Sequence, residues 1–292
     1  MNKVTRLKYY IESLCIYDFE DDDVFSALYD LLCDDEEDTV ALQSCFFKEL
    51  AKSESLKRHI SRLILTNDNI FTKAACAGKV NELSIAVINA VKSDLAKLEE
   101  IASLTAQDIL ADIDDEDIKK ILLTLPGWEV GKPLAPLDSH WDRQLDELIK
   151  YHRENGYGIY AKNIAFTWRD EEITPVNSID PIRLTDLKNY ELQRNKVIDN
   201  TESFIAGHPA NNVLLYGDRG TGKSSTVHAI LNEYWQKGLR MIEIPKSAVA
   251  DLSLIREQIA DSPMNFIIYI DDLSFDSNDT SFSELKAALE GS

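Results

Sequence analysis

The chain has 292 residues, 33.0 kDa and 44% hydrophobic residues, enough to bury the cores of one large or two ordinary domains. Acidic residues outnumber basic ones 51 to 31, a formal charge of −20, so the long-range field repels phosphate backbones and anionic bilayers; no nucleic acid and no membrane is expected as a partner. Four cysteines without short paired spacing exclude a zinc or disulfide framework and predict buried, reduced thiols; a charged start and the lack of any run near roughly 18 apolar residues predict a cytoplasmic protein.

From Val4 to about Asn155 the pattern is helical. Val24, Phe25, Leu28, Leu31 and Leu32 recur at helix spacing behind an acidic start, and Leu83, Val87, Val91, Leu95 and Leu98 draw a second stripe, with Lys92, Asp94, Lys97 and Glu99 between its members. Ile109, Ile113, Ile118, Ile121, Leu122 and Leu125 continue until Pro126-Gly127, and a further helix around Trp141, Leu145, Leu148 and Ile149 closes at Asn155-Gly156. The expectation is an all-α domain of six to eight helices over 1–155. The acidic runs Glu20 to Asp23, Asp34 to Asp38 and Asp112 to Asp117 read as solvated helix ends and loops.

Residues 156–183 change character, with Gly156, Gly158, Pro175 and Pro181 among Tyr157, Tyr160, Phe166 and Trp168; they read as a connector carrying one short hairpin. Over 184–292 strands and helices alternate: a helix from Thr185 to Gly207 entered near Asp186, a strand Val213 to Tyr216, a strand Met241 to Ile244, a helix Leu252 to Ile259, a strand Phe266 to Ile270 and a helix Phe282 to Leu289. Such alternation predicts a mainly parallel sheet flanked by helices.

Gly217-Asp218-Arg219-Gly220-Thr221-Gly222-Lys223-Ser224 fits G-x-x-x-x-G-K-[ST] between an expected strand and helix. Glycines let the backbone fold tightly, so that N–H groups point at phosphate oxygens, and the positive end of the following helix adds to the attraction. Lys223 supplies a cation to the terminal phosphates, Ser224 a hydroxyl ligand for Mg2+, and Ser225 continues the helix's first turn. Phe266-Ile267-Ile268-Tyr269-Ile270-Asp271-Asp272 is an apolar strand ending in two carboxylates. Asp271 is the expected magnesium residue and Asp272 the expected base that orients the attacking water. His228 reads as a packing or surface residue, Arg219 as a solvated loop tip or a reach toward the terminal phosphate, and Trp128, Trp141, Trp168 and Trp235 as core or interdomain anchors. Chain order alone shows no Ser-His-Asp arrangement.

The run from Ile179 onward, with Leu184-Thr185-Asp186-Leu187, Asn200-Thr201-Glu202, Pro209-Ala210-Asn211-Asn212-Val213-Leu214-Leu215-Tyr216-Gly217 and Asp271-Asp272-Leu273-Ser274-Phe275, resembles an uncharacterised bacterial family of AAA-type P-loop ATP-binding proteins. The resemblance extends more weakly upstream through Gly156-Tyr157-Gly158 and Phe166-Thr167-Trp168. It implies an α/β P-loop NTPase core, AAA-like, preceded by an all-α helical domain, with ATP and Mg2+ as cofactors. It further implies a homo-oligomer that hydrolyses ATP to remodel an unknown protein partner held by the helical domain.

The resemblance also implies that Leu184 to Tyr190, with Leu187 and Tyr190, lines the adenine pocket. Asn189 stands where the family tends to have Gly, and Asn tolerates the left-handed backbone such a turn requires. Asp272 is one methylene shorter than the Glu common in AAA proteins, which leaves a nucleotide-gated switch or scaffold with little turnover as the alternative. A P-loop kinase is a third reading. The family pattern includes a further strand with a phosphate sensor, an arginine reaching the neighbouring subunit and a helical lid. The sequence stops at Ser292 before any of them, so it reads as a truncated AAA module with an incomplete parallel sheet and little activity of its own.

Overall fold

The computed structural model describes residues 1–34, 38–53, 55–176 and 178–271, and the chain divides into two compact units, Met1–Arg153 and Glu154–Ser292. The first is helical: α1 (Lys3–Glu12), α2 (Asp23–Cys33), α3 (Thr39–Leu50), α4 (Leu56–Leu65), α5 (Ile70–Cys76), α6 (Ile85–Ile101), α7 (Ala106–Leu110), α8 (Glu116–Leu122) and α9 (Leu145–Asn155), in whose last turn the boundary falls. Nine α-helices among the described residues exceed the six to eight expected, because short helices such as α5, α7 and α8 carry too few apolar residues to show a full stripe.

Start signals are local. Asp22 accepts from Phe25 N–H at α2, Asn69 and Thr72 form a reciprocal capping box at α5, Thr105 and Asp108 another at α7, and Asp115 caps α8. Asp22 and Asp23 of one acidic run, and Asp115, Glu116 and Asp117 of another, are thus helix caps and first turns. The core gathers Leu28, Phe46, Leu56, Ile60, Ile64, Phe71, Leu95, Leu98 and Trp141, each at 0% exposure, worth about 1.5–3 kcal/mol apiece. Trp128 stacks edge-on against Phe46 at 4.9 Å and donates to Leu104 O at 2.9 Å.

Two residues read as the polar side of the second stripe work inward. Asp94 is wholly buried and accepts from the N–H groups of Ile16 (2.7 Å), Cys15 (2.9 Å) and Tyr17 (3.4 Å). Glu99 accepts from His140 and Trp141 N–H, both at 3.0 Å. Of the cysteines, Cys76 alone is buried, its thiol pushed up to about 12 by desolvation, whereas Cys15 and Cys45 are exposed and all four are free. Exposure of two thiols corrects the expectation of four buried ones: Cys15 lies in the segment between α1 and α2, and Cys45 on the outward face of α3.

Ser53, His59 and Asp22 do line up, with Ser53 Oγ 2.9 Å from His59 Nδ1 and His59 Nε2 2.8 Å from Asp22 Oδ1. Asp22 is also the cap of α2, and His59 is 7% exposed within the helical core, so the row ties α2 to α4 and offers no presented nucleophile. Burial acts to raise the Asp22 carboxyl, but hydrogen bonds from His59 and Phe25 N–H outweigh it and leave it below the ordinary carboxylate value. A lowered folded-state value means that the stability contributed is complete above the unfolded value of about 3.9 and is lost as pH falls below it. The thermal midpoint should therefore drop as pH falls below about 4, and Asp22→Asn should flatten that drop while lowering the plateau at neutral pH; equal acid sensitivity in the two proteins would refute this role.

The second unit contains α10 (Gly158–Lys162), β1 (Ala165–Arg169), β2 (Glu172–Pro175), α11 (Glu191–Ile205), α12 (Lys223–Tyr234), β3 (Leu239–Ile244), α13 (Leu252–Ile259) and β4 (Asn265–Ile270). The described strands form one sheet in the order β2-β1-β3-β4, with β1, β3 and β4 parallel and β2 antiparallel to β1. The expected hairpin in 156–183 is thus present, and it supplies two of the four strands; Phe166 and Trp168 enter the core, which period-2 alternation around Thr167 explains.

Successive β3 residues face opposite layers. Ile242 and Ile244 meet Tyr160 of α10 and Leu252 and Ile255 of α13 on one side. Leu239 and Met241 meet Val227, Ile230, Leu231 and Tyr234 of α12 on the other, with Val197 and Phe204 of α11 packed against the same cluster.

Two expectations change. The helix predicted from Thr185 starts at Glu191, because Asn189 and Tyr190 are left-handed, at φ 66 and 58; left-handed backbone interrupts a helix. The turn expected at Asn189 is therefore present. Val213 to Tyr216 forms no strand: Leu215 is half-buried against the α12 core, while Val213, Leu214 and Tyr216 are exposed. Strand geometry depends on a ladder partner, and the described residues bring none to this segment.

Candidate functional site

The loop of interest runs from Gly217 into the first turn of α12. The segment leading into it is tied to α11 by a reciprocal pair at Asn211, Asn200 Nδ2 donating to Asn211 O and Asn211 N–H donating to Asn200 Oδ1, both at 2.9 Å. Tyr234 at the far end of α12 donates to Glu202 at 2.8 Å, which fixes α12 against α11. Two residues of the Asn200-Thr201-Glu202 run therefore set the loop's approach and the pose of its helix.

Gly217, Gly220 and Gly222 take φ values of 140, 77 and 81. A Cβ at Gly220 or Gly222 would meet nothing within 4 Å, so conformation rather than crowding requires glycine there. Gly222 is the N-cap of α12 and has no side chain to accept the first N–H groups; the first backbone bond of the helix is Thr226 N–H to Gly222 O at 2.9 Å. The N–H groups of Lys223, Ser224 and Ser225 precede that bond, and they sit at the positive end of a 12-residue helix. Lys223 Nζ donates to the carbonyls of Asp218 (2.9 Å) and Gly217 (3.1 Å), and Thr221 Oγ1 to Asp218 O (2.9 Å). Arg219 at the tip is exposed.

Asp271 follows β4 at the carboxyl end of the parallel strands, where open α/β sheets place their ligands. Ser224 Oγ donates to its carboxylate, 3.1 Å from Oδ2 and 3.3 Å from Oδ1. Adjacent corners of a magnesium octahedron with bonds of about 2.1 Å lie about 3 Å apart, so this oxygen pair fits two positions of one Mg2+. Among the described residues no cluster of three His, Cys, Asp or Glu exists, and Mg2+ needs none, since it keeps waters and takes phosphate oxygens as its remaining ligands.

Tyr269, two residues before Asp271, faces the same way. Burial raises its hydroxyl, the Ser224 hydrogen bond pulls it down, and the Asp271 hydrogen bond with the charges of Asp271 and Glu243 raises it again, to about 12. Its ring meets His228 of α12 edge-on at 6.2 Å, which gives His228 the packing role expected of it. An open cavity of about 310 Å³ at these strand ends is lined by Thr167, Arg169, Glu243 and Asp271, among others.

Of the residues singled out from sequence, the structure brings Ser224 and Asp271 within hydrogen-bond distance, and Lys223, next to Ser224, turns back onto the carbonyls of Gly217 and Asp218. Leu187 is half-buried and Tyr190 is 54% exposed; both belong to the turn whose carbonyls at Leu187 and Asn189 accept from Arg194. Leu184 is the residue of that turn that packs against the α12 core. Trp168 donates to Asp251 at 2.9 Å from within its core, whereas Trp235 is 40% exposed and anchors none. Asp272, Leu273, Ser274, Phe275 and the expected helix Phe282 to Leu289 lie outside the described residues. Glu243, Tyr269, Thr167 and Arg169 were not singled out from sequence; the period-2 alternation of β1, β3 and β4 is the signal that places them on the α12 side.

Among the described residues no helix is long and apolar enough to cross a membrane. Neither the curated proteins nor the solved structures include a match to the chain. Residues 161–292, which begin just before β1 and include the loop, β3 and β4, match the family model described as "Protein of unknown function (DUF815)".

Proposed function

We propose that the second unit is an AAA-type P-loop module that binds ATP with Mg2+ and hydrolyses it, and that the helical unit recruits the protein partner on which that cycle acts. The observation that carries the reading is the joining of Ser224 to Asp271 across 47 residues of chain at the N-terminus of a helix preceded by three left-handed or extended glycines. Backbone N–H groups of Gly220 to Ser225 and the Lys223 ammonium supply the phosphate contacts. Release of Lys223 from the Gly217 and Asp218 carbonyls is inexpensive because all three groups are exposed. Ser224 and Asp271 hold Mg2+, which when bound neutralises the terminal phosphates and draws electrons from the phosphorus. The acidic surface makes this local concentration of donors the part of the protein suited to a polyanion.

Asp271→Asn separates this reading from a helix end that attracts any anion. It should weaken ATP binding at least about tenfold in magnesium and leave binding in excess chelator within about twofold, since only the metal-linked part of the affinity is removed. Calorimetric titrations of both proteins, with and without magnesium, decide it; an identical loss in both conditions would contradict a metal role for Asp271.

A further inference from the structure

Alternation along β4 turns Ile267 and Tyr269 toward α12 and Phe266, Ile268 and Ile270 toward the opposite layer. Asp271 is the next residue on the α12 side. On α12, His228 lies one turn after Ser224. Each of the two residues assigned to the metal therefore has an aromatic ring one repeat behind it on its own element, and these two rings meet edge-on, 6.2 Å between centroids at 81°. His228 Nδ1 is buried with no hydrogen-bond partner among the described residues, so this ring contributes packing. The hydroxyl of Tyr269 does more: it shares hydrogen bonds with Ser224 and with Asp271, which are themselves joined at 3.1 Å. One row below, Ile267 fills the same face with an apolar side chain.

Resting on the nucleotide reading above, we infer that Tyr269 is the positioning residue of the magnesium site, its hydroxyl holding the Asp271 carboxylate and the Ser224 hydroxyl in the arrangement that accepts the ion. The three groups form a triangle of two hydroxyls and one carboxylate. Each hydroxyl carries one proton and the ionised carboxylate none, so the strongest set of hydrogen bonds directs both protons at Asp271. Ser224 Oγ then keeps a lone pair for a cation, and Asp271 keeps its charge and its orientation. The His228 ring backs the Tyr269 ring and fixes how far the hydroxyl reaches. Tyr269 itself touches neither nucleotide nor ion. Hydrogen-bond partners that orient a metal-binding carboxylate are worth about 10–100-fold in metal affinity.

The test is calorimetric titration with ATP, in magnesium and in excess chelator, of the whole chain as wild type, Tyr269→Phe, Asp271→Asn, the double variant and His228→Phe. Tyr269→Phe keeps the ring and removes the hydroxyl. It should weaken binding about tenfold in magnesium and leave binding in chelator within about twofold, a difference that loss of packing alone does not produce. Because the hydroxyl acts through the carboxylate, the double variant should bind within about twofold of Asp271→Asn in magnesium. His228→Phe keeps an edge-on ring and the tyrosine hydroxyl, and it should stay within about twofold of wild type in both conditions. Tyr269→Phe within about twofold of wild type in magnesium, an equal loss in both conditions, or full additivity with Asp271→Asn overturns the role. So does a loss in His228→Phe as large as that in Tyr269→Phe, which would assign the effect to packing, and so does a Tyr269→Phe chain that fails to fold. The nucleotide reading survives each of these results if wild-type binding is strengthened by magnesium and Asp271→Asn loses that gain. A wild-type protein that binds no ATP overturns both.

Discussion

Lys223→Ala should weaken ATP binding by at least about a hundredfold, near 2.7 kcal/mol, without a measurable change in thermal midpoint. The ammonium is the loop cation next to the first turn of α12, and it is already held over the loop by the carbonyls of Gly217 and Asp218 at 3.1 and 2.9 Å. Charge-assisted contacts to phosphate are about twice as strong as neutral ones, and the chain's net charge of −20 gives no diffuse attraction to compensate. Stability should hold because both carbonyls are exposed and water replaces the ammonium. Calorimetry and a thermal melt on the same sample separate the two effects. Equal ATP affinity in the variant would remove the loop from the account, and a collapse of the melt would make Lys223 a structural residue.

The second large effect belongs to the helical unit. Asp94→Ala should lower unfolding free energy by about 3–5 kcal/mol, which urea denaturation followed by far-UV circular dichroism measures directly. Asp94 is at 0% exposure on α6, and its Oδ2 gathers the N–H groups of Ile16, Cys15 and Tyr17 at 2.7, 2.9 and 3.4 Å. Oδ1 faces Lys97 Nζ at 3.6 Å. Burial first, and the charge of Asp94 second, hold the Tyr17 hydroxyl far above its ordinary value. Truncation leaves buried donors without their carboxylate and frees the segment between α1 and α2 from α6. Asp94→Asn keeps one acceptor oxygen and should cost roughly half as much. A loss below about 1 kcal/mol for the alanine variant would mean that those N–H groups find water instead.

Residue by residue, what could be read from sequence was what depends on neighbours in the chain. The Gly217 to Ser224 loop, Asp271 and the α13 boundaries rest on spacing, turn chemistry and short-range periodicity, and those features survive in the structure. Asn189 is legible for the same reason: a left-handed position selects Gly or Asn by local sterics.

What was hidden depends on partners distant in sequence. Val213 to Tyr216 has strand composition but lacks a ladder among the described residues, and composition does not report on ladders. Glu243 in Leu239–Ile244 looks like the one solvated residue of a buried strand; only its pairing with Tyr269 and the cavity it lines with Asp271 place it at the functional end of the sheet. Asp94 carried a local clue. It lies three residues after Val91 and four before Leu98, on the buried stripe itself, and an acidic residue at such a position signals backbone donors waiting inside.

The central claim is that this loop holds the phosphates of ATP together with magnesium. Its most direct test is a calorimetric titration of the wild-type chain with ATP, with magnesium and with chelator. Saturable binding near one nucleotide per chain, strengthened by magnesium, is the predicted result. The absence of saturable binding in both conditions would contradict it.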